Sequence, residues 1–325
     1  MKYTDRIYGD CEIDEPVALE LIYSDAVQRL KNIDQAGYFE PYFPGTAHSR
    51  FEHSVGVYWL LKIYGASIEE QIAGLIHDVS HSAFSHCIDY VLDAGSQKKH
   101  DHQDNVFDEF VRKSAIPEIL ERYHIDVDYI LDDTNFPLKE TNLPDLCADR
   151  IDYSLRTAIL FGEIENGNSY LENLVAENGQ WIFKDFESAE KYAKLFLKLN
   201  TDYYSGLPSA VMFKTVSEYL RYALSKDYIS EADLYTTDKI VLEKIQPHIE
   251  TDAMLRDLFQ RMNNKIGFKN DPNDYAGKVF CKSRVVNPWC YHNKEIKRVS
   301  EVNPIWNDIL KRESKPKEYF LRFDR

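Results

Sequence analysis

The sequence has 325 residues, 44% hydrophobic and 29% charged, which is long and apolar enough for about two domains with a sizeable core and excludes a disordered chain. Its 39 lysines and arginines face 54 acidic residues, a net charge of -15 that argues against a generally basic nucleic-acid binder. No apolar run reaches the roughly 18 residues of a membrane span, the start lacks a signal peptide's apolar stretch, and the five dispersed cysteines contain no CxxC pair, so a cytoplasmic protein with reduced thiols and no membrane contact is expected.

Residues 1–14 carry short β-branched and aromatic pieces around Gly9, the pattern of a small hairpin. Pro16 suits the first turn of a helix. Helical periodicity then dominates to about residue 265. Ser54 to Tyr64 reads as a helix, entered from Arg50-Phe51-Glu52-His53 and stopped near Gly65. Ser67 and Glu70 form a capping box that opens the next helix, Ile68 to about Val79. Pro144 opens another through Leu146, Ile151, Leu155 and Ile159, stopped near Gly162. Asn166-Gly167-Asn168 reads as a turn or insertion. Strand-like pieces follow from Gly277 and at Glu318-Tyr-Phe-Leu-Arg-Phe. Residues 278–325 hold 12 basic and 6 acidic groups, leaving 27 basic and 48 acidic in the first 277. We expect a mainly α protein in three parts: a hairpin and helical core over 1–165, a helical extension completing it over 166–270, and a smaller α/β subdomain over 271–325.

Seven of the ten histidines lie between His48 and His102. The centre of this stretch is Gly74-Leu75-Ile76-His77-Asp78-Val79-Ser80-His81, where polar, titratable residues end an apolar helical run. Adjacent helical residues point about 100° apart, so His77 and Asp78 are able to flank one ion, and His81 lies one turn further on. A lone histidine at such a place is most often a hydrogen-bonded structural residue. Burying His53, His77, Asp78 and Asp149 together is different, because it is costly without a counter-charge. A divalent cation supplies that charge; two imidazoles and two carboxylates suit Mn, Fe, Mg, Zn or Co and leave positions for water and a phosphate oxygen.

His53, then His77-Asp78, then Asp149 reproduce the H…HD…D signature of the HD-domain metal-dependent phosphohydrolases, which this sequence resembles. Phe43-Pro44-Gly45, Arg50-Phe51-Glu52-His53-Ser54-Val55-Gly56-Val57, the run His77 to His86 and Asp149-Arg150-Ile151-Asp152-Tyr153 are similar to the deoxynucleotide triphosphohydrolase branch, over about residues 5–160. Lys282-Ser-Arg284-Val285-Val286-Asn287-Pro288 resembles the C-terminal segment of bacterial relatives. The resemblance implies an HD-domain helical core, a homo-oligomer, a nucleotide or other phosphate-ester substrate, and a divalent metal on His53, His77, Asp78 and Asp149. It gives Arg50 and His81 a phosphate-side role, makes His86 the candidate acid for the leaving oxygen, and matches His102 with Asp89 as a second catalytic pair. Arg150 and Tyr153 match polyphosphate contacts, and Gln35 a sugar or base contact.

Two departures limit what the resemblance says of the substrate. Thr157 stands where the branch has an aspartate for the sugar 3′-hydroxyl, and residues 200–208 offer no arginine for the far phosphates. Two alternatives therefore stand beside a dNTP triphosphohydrolase: a nucleotidase or phosphodiesterase without a triphosphate requirement, and a nucleotide-sensing or nucleic-acid-binding module with a structural metal. The basic end is the candidate nucleic-acid contact, although a solvated mixed-charge surface is the simpler reading.

Overall fold

The computed structural model describes residues 1–92 and 96–324. Strands β1 (Lys2–Asp5) and β2 (Gly9–Glu12) form the expected hairpin, with Tyr3 opposite Cys11. Pro16 opens the helix Pro16–Tyr23, where its missing N–H leaves nothing unpaired.

The helix Arg50–Ile63 joins the expected start at Arg50-Phe51-Glu52-His53 to the stretch from Ser54, because Ser49 caps it, accepting from Glu52 N at 3.3 Å. It ends before Gly65, whose φ of +74° turns the chain away. The next helix, Ile68–Ile76, is shorter than expected. Ser67 caps it, but the reciprocal half of the capping box is missing: Glu70 Oε1 instead accepts from the backbone N–H groups of Leu138 and Lys139, at 2.7 and 2.9 Å. His77 stands at its C-terminal cap, and residues 77–80 run in turns. Pro144 does not open a helix. Its carbonyl accepts from Asn287 N at 2.8 Å, and the helix Ala148–Leu160 starts after Cys147.

The helix Arg50–Ile63 packs on Ala148–Leu160 at Gly56. A Cβ there would meet Asp152 Oδ2 at 2.1 Å and Arg156 Nη2 at 2.2 Å, so only glycine allows this approach. Further apolar clusters gather around the helices Phe186–Leu199 and Leu207–Ser225. All five cysteines are buried and free. Among the described residues, no helix is long and apolar enough to cross a membrane.

The protein is mainly α with a smaller sheet-containing part, but the sheets do not all lie at its end. Strands β3 (Leu174–Glu177) and β4 (Gln180–Phe183) form a hairpin that the sequence reading left without strands. Asn178 and Gly179 both have positive φ, and an Asn-Gly pair between alternating residues is the local signal for such a turn. β4 pairs in parallel with β7 (Trp289–His292), which pairs with β8 (Glu295–Arg298), so this sheet joins chain on both sides of the division expected at residue 270. The third sheet has the order β5 (Phe268–Asn270), β9 (Lys317–Phe323), β6 (Gly277–Cys281), all antiparallel.

Candidate metal centre

His53, one turn into its helix, is fully buried. Its Nδ1 lies 2.8 Å from Asp152 Oδ1, while Nε2 lies 2.9 Å from Asp149 Oδ1 and 3.1 Å from His77 Nε2. His77 Nδ1 is 2.7 Å from the Gly74 carbonyl, which only accepts, so Nδ1 carries the proton and Nε2 presents its lone pair. Asp152 likewise takes the Nδ1 proton of His53, and it also accepts from Arg156 Nε, Arg156 Nη2 and the Tyr8 hydroxyl at 2.8 to 3.0 Å. Two imidazoles thus turn their lone-pair nitrogens toward each other. Asp149 Oδ1 stands 3.5 Å from His77 Nε2, and Asp78 Oδ1 3.4 Å from it.

Two facing lone pairs flanked by carboxylates require a positive charge between them. Without a metal, a proton must serve. Burial opposes charge on His53, yet Asp149 and Asp152 outweigh it and raise the imidazole to about 9. Burial likewise opposes charge on His77, and Asp78 and Asp149 raise it. Burial pushes Asp149 up, but its bonds to both imidazoles hold it well below the usual carboxylate range. A divalent ion fits this donor set, replacing the proton while the second nitrogens keep both rings oriented.

The loop after His77 is held from outside. Arg29 Nη2 donates to the carbonyls of Val79 and His81 at 2.6 and 2.7 Å. Asp238 accepts from Phe84 N and Asp34 N at 2.7 and 2.8 Å, and Phe84 and Ser85 adopt left-handed φ of 60° and 45°. This frame brings His81 Nε2 to 3.4 Å from Asp78 Oδ1 and sets its ring 5.1 Å from that of His86. Arg50 is almost wholly buried: Nη1 lies 2.6 Å from Asp78 Oδ2, Nε 2.7 Å from Ser85 Oγ, and Nη2 2.7 Å from the Gln35 carbonyl. Gln35 therefore meets the site through its backbone, while its buried side-chain oxygen has no hydrogen-bond partner among the described residues. Asp149 and His86 keep 22% and 24% side-chain exposure, so solvent reaches the centre on their side.

The expected pairing of His102 with Asp89 is not what the geometry forms. Asp89 Oδ1 accepts from His102 backbone N at 2.9 Å, whereas the His102 ring turns to the Tyr235 hydroxyl at 3.1 Å. Asp89 Oδ2 instead faces His86 Nδ1 at 3.4 Å. His100, given no role from sequence, supplies the second ring: it lies 5.0 Å from His86, and ligand atoms of His86, Asp89 and His100 fall within 4.8 Å of one another. The chain turns there through a left-handed φ of 55° at His100, which sends neighbouring side chains apart. Arg150 is also turned away from open space, donating to the carbonyls of Thr141 and Asp145 and to Glu140. Tyr153 lies beside His53 and Tyr204, its hydroxyl buried and without a hydrogen-bond partner among the described residues. Asp152, which orients His53, has no role in the sequence signature; its i,i+3 spacing from Asp149 on one helix face is the signal that marks it.

The HD domain family matches residues 50–157, which include all four expected ligands. The protein YdhJ of Bacillus subtilis, itself described as uncharacterized, is 38% identical over 291 residues, 89% of this chain and 88% of its own. The chain belongs to the HD-domain family of metal-dependent phosphohydrolases. The metal-dependent phosphohydrolase cns2 of Cordyceps militaris is 37% identical over 160 residues, 49% of this chain and 46% of that one. The deoxynucleoside triphosphate triphosphohydrolase SAMHD1 of Gallus gallus is 30% identical over 163 residues, but only 26% of its length is covered. Two solved structures share the fold along the whole chain: a hypothetical protein from Aquifex aeolicus (TM-score 0.76, 21% identity, 96% of that chain covered) and a phosphohydrolase from Bacteroides thetaiotaomicron (TM-score 0.70, 17% identity, 100% covered).

Proposed function

We propose that this HD-domain protein hydrolyses a phosphoanhydride or phosphoester bond of a nucleotide, with dNTP triphosphohydrolysis as the leading reaction. The observation that carries this reading is the pair of imidazole lone pairs 3.1 Å apart beside Asp149. His53, His77, Asp78 and Asp149 would hold the ion, and the wall of Arg50, His81, His86 and His100 beside them suits a phosphate. When bound, a divalent ion supplies Lewis acidity toward a phosphate oxygen and lowers the pKa of a water.

The chain's own groups do the rest. Arg50 fixes Asp78 and has N–H groups left over for a phosphate oxygen. Burial, followed by Arg50 and the nearby Arg284 and Lys282, holds the His86 imidazole well below its usual pKa, so it is neutral before substrate arrives. An incoming phosphate offsets those cations and lets the ring carry a proton, with Asp89 accepting from Nδ1 and Nε2 left to protonate the leaving oxygen. Burial and Arg50 keep His81 neutral in the same way. Tyr153 is a polyphosphate or sugar contact in this scheme.

A second reading, a nucleotidase or phosphodiesterase without a triphosphate requirement, is favoured by the buried Thr157 and by Arg150 being held among carbonyls. One screen separates them: dNTPs, NTPs, monophosphates and short oligonucleotides, each with Mn, Mg, Fe or Co. Triphosphate release from a dNTP is expected; phosphate release from monophosphates selects the second reading. Binding of nucleotides without turnover defeats both. The double change His77→Ala, Asp78→Ala is expected to abolish metal content and hydrolysis together, and unchanged values would remove the proposed ligand set.

A further inference from the structure

We propose that Lys282 and Arg284, from the C-terminal segment, form a clamp for the phosphates of the substrate beyond the one at the metal centre. The proposal rests on the nucleotide reading above and narrows it to substrates with contiguous phosphates.

The segment that carries the two residues is fixed at both ends. Phe280 O, in β6, accepts from the Tyr90 hydroxyl at 2.5 Å, and that hydroxyl lies 3.0 Å from His100 Nε2. At the other end the fully buried Asn200 holds two successive residues: Nδ2 donates to Ser283 Oγ at 3.0 Å, and Oδ1 accepts from Arg284 N at 2.8 Å. The segment therefore runs from the His86–His100 pair to the end of the helix Phe186–Leu199. Cys281 and Ser283 are buried and Lys282 and Arg284 only partly so, an alternation that puts the two cations on one side of the extended chain.

Neither cation has an ion pair or a side-chain hydrogen bond among the described residues, whereas Arg50, Arg150, Arg156 and Arg298 all do. Their surroundings are those of the candidate site. Both contribute to holding His86 and His100 neutral, and Arg284 is the strongest cationic influence on Tyr153 and Tyr204. Burial and then Arg284 lower the Lys282 ammonium to about 8, with Asp104, Arg150 and Asp89 also acting on it. Two partly buried cations, one depressing the other and neither with a direct ion pair among the described residues, are costly, and a bound anion relieves that cost. The same charges disfavour a second metal on His86, Asp89 and His100. Arg150 is held elsewhere and residues 200–208 contain no arginine, so the positive charge for further phosphates is on this segment.

The test is calorimetric binding of inorganic tripolyphosphate and of orthophosphate to the metal-loaded protein, with free Mg in excess over either probe. We expect Lys282→Gln and Arg284→Gln each to weaken tripolyphosphate about ten-fold or more and orthophosphate less than about two-fold, with Arg284→Lys recovering much of the loss. Unchanged melting temperatures establish that the variants fold. If the double variant binds tripolyphosphate as the native protein does, there is no clamp. Equal losses for both probes would place the pair at the first phosphate and overturn the second-phosphate role. Absence of nucleotide turnover in the earlier screen would defeat the nucleotide reading while leaving this binding measurement to stand or fall by itself.

Discussion

At the scale of single residues, His53 is set by the groups behind it as much as by those in front. Asp152 takes its Nδ1 proton, Arg156 Nη1 pairs Asp5 Oδ2 at 3.0 Å, and all four side chains are buried, so the N-terminal hairpin is part of the centre's support. Burial opposes charge on Asp152, and Arg156 and His53 hold it ionised. Asp152→Asn keeps the shape but removes that charge and leaves Arg156 with Asp5 as its nearest full partner. We expect metal affinity to fall about 10- to 100-fold, and stability to fall by about 3 kcal/mol because a buried cation loses a partner. Metal titration of chelator-stripped protein and chemical denaturation measure the two effects separately; unchanged affinity would show that Asp152 does not set the His53 tautomer. The four expected ligands were legible because titratable residues ending apolar helical runs leave few bland explanations. His100 was not legible, because a single left-handed residue decides which of two nearby histidines faces His86, and side-chain period says nothing about that turn.

At the scale of elements, the site depends on how closely two helices approach. Gly56 lets Arg50–Ile63 lie against Asp152 and Arg156, and a methyl group there would lie 2.1 and 2.2 Å from their side-chain atoms, far inside van der Waals contact. Gly56→Ala lies mid-helix, where alanine is intrinsically favoured by about 1 kcal/mol, yet the clash opposes it. The clash wins, because its neighbours are a rigid buried ion pair rather than a flexible chain end. We expect a net destabilisation of about 1–3 kcal/mol in denaturant midpoint, together with reduced metal content; a stabilised variant would show that the helices can separate without loss. Helix cores were legible from apolar periodicity, but their ends were not. Ser49 reads as a cap only when Arg50 and Phe51 are counted inside the helix, and Glu70 left its capping box for a partner 68 residues away, Leu138 N. The hairpin of β3 and β4 is legible only through its turn, Asn178-Gly179, because its four-residue strands are too short for a periodic signal.

At the scale of the whole molecule, a chain of net charge -15 surrounds its proposed anion site with cations by placement rather than by excess. From sequence, the basic surplus of the last 48 residues reads most simply as a solvated outer surface, with nucleic acid as the alternative contact. Two of its members, Lys282 and Arg284, instead form part of the wall beside His86 and His100, because Tyr90 and Asn200 draw their segment onto the helical core. That arrangement has a pH signature. Lys282 sits near 8 because burial and Arg284 disfavour its charge, while Asp104 and Asp89 favour it and Arg150 opposes it. Only the protonated ammonium attracts an anion, so affinity for tripolyphosphate should fall as pH rises through about 8 and beyond, the bound anion itself moving the edge upward. The probe gains negative charge over the same range, which acts in the opposite direction, so the comparison must be internal. Lys282→Arg keeps the charge at every pH in question, since a guanidinium does not titrate below about 12. We expect the ratio of native to Lys282→Arg affinity to decline from about pH 7 to about pH 9.5. A flat ratio alone would show that Lys282 does not titrate in the complex; a flat ratio together with unweakened tripolyphosphate binding by Lys282→Gln would remove it from the clamp, leaving Arg284 to be judged by its own substitution.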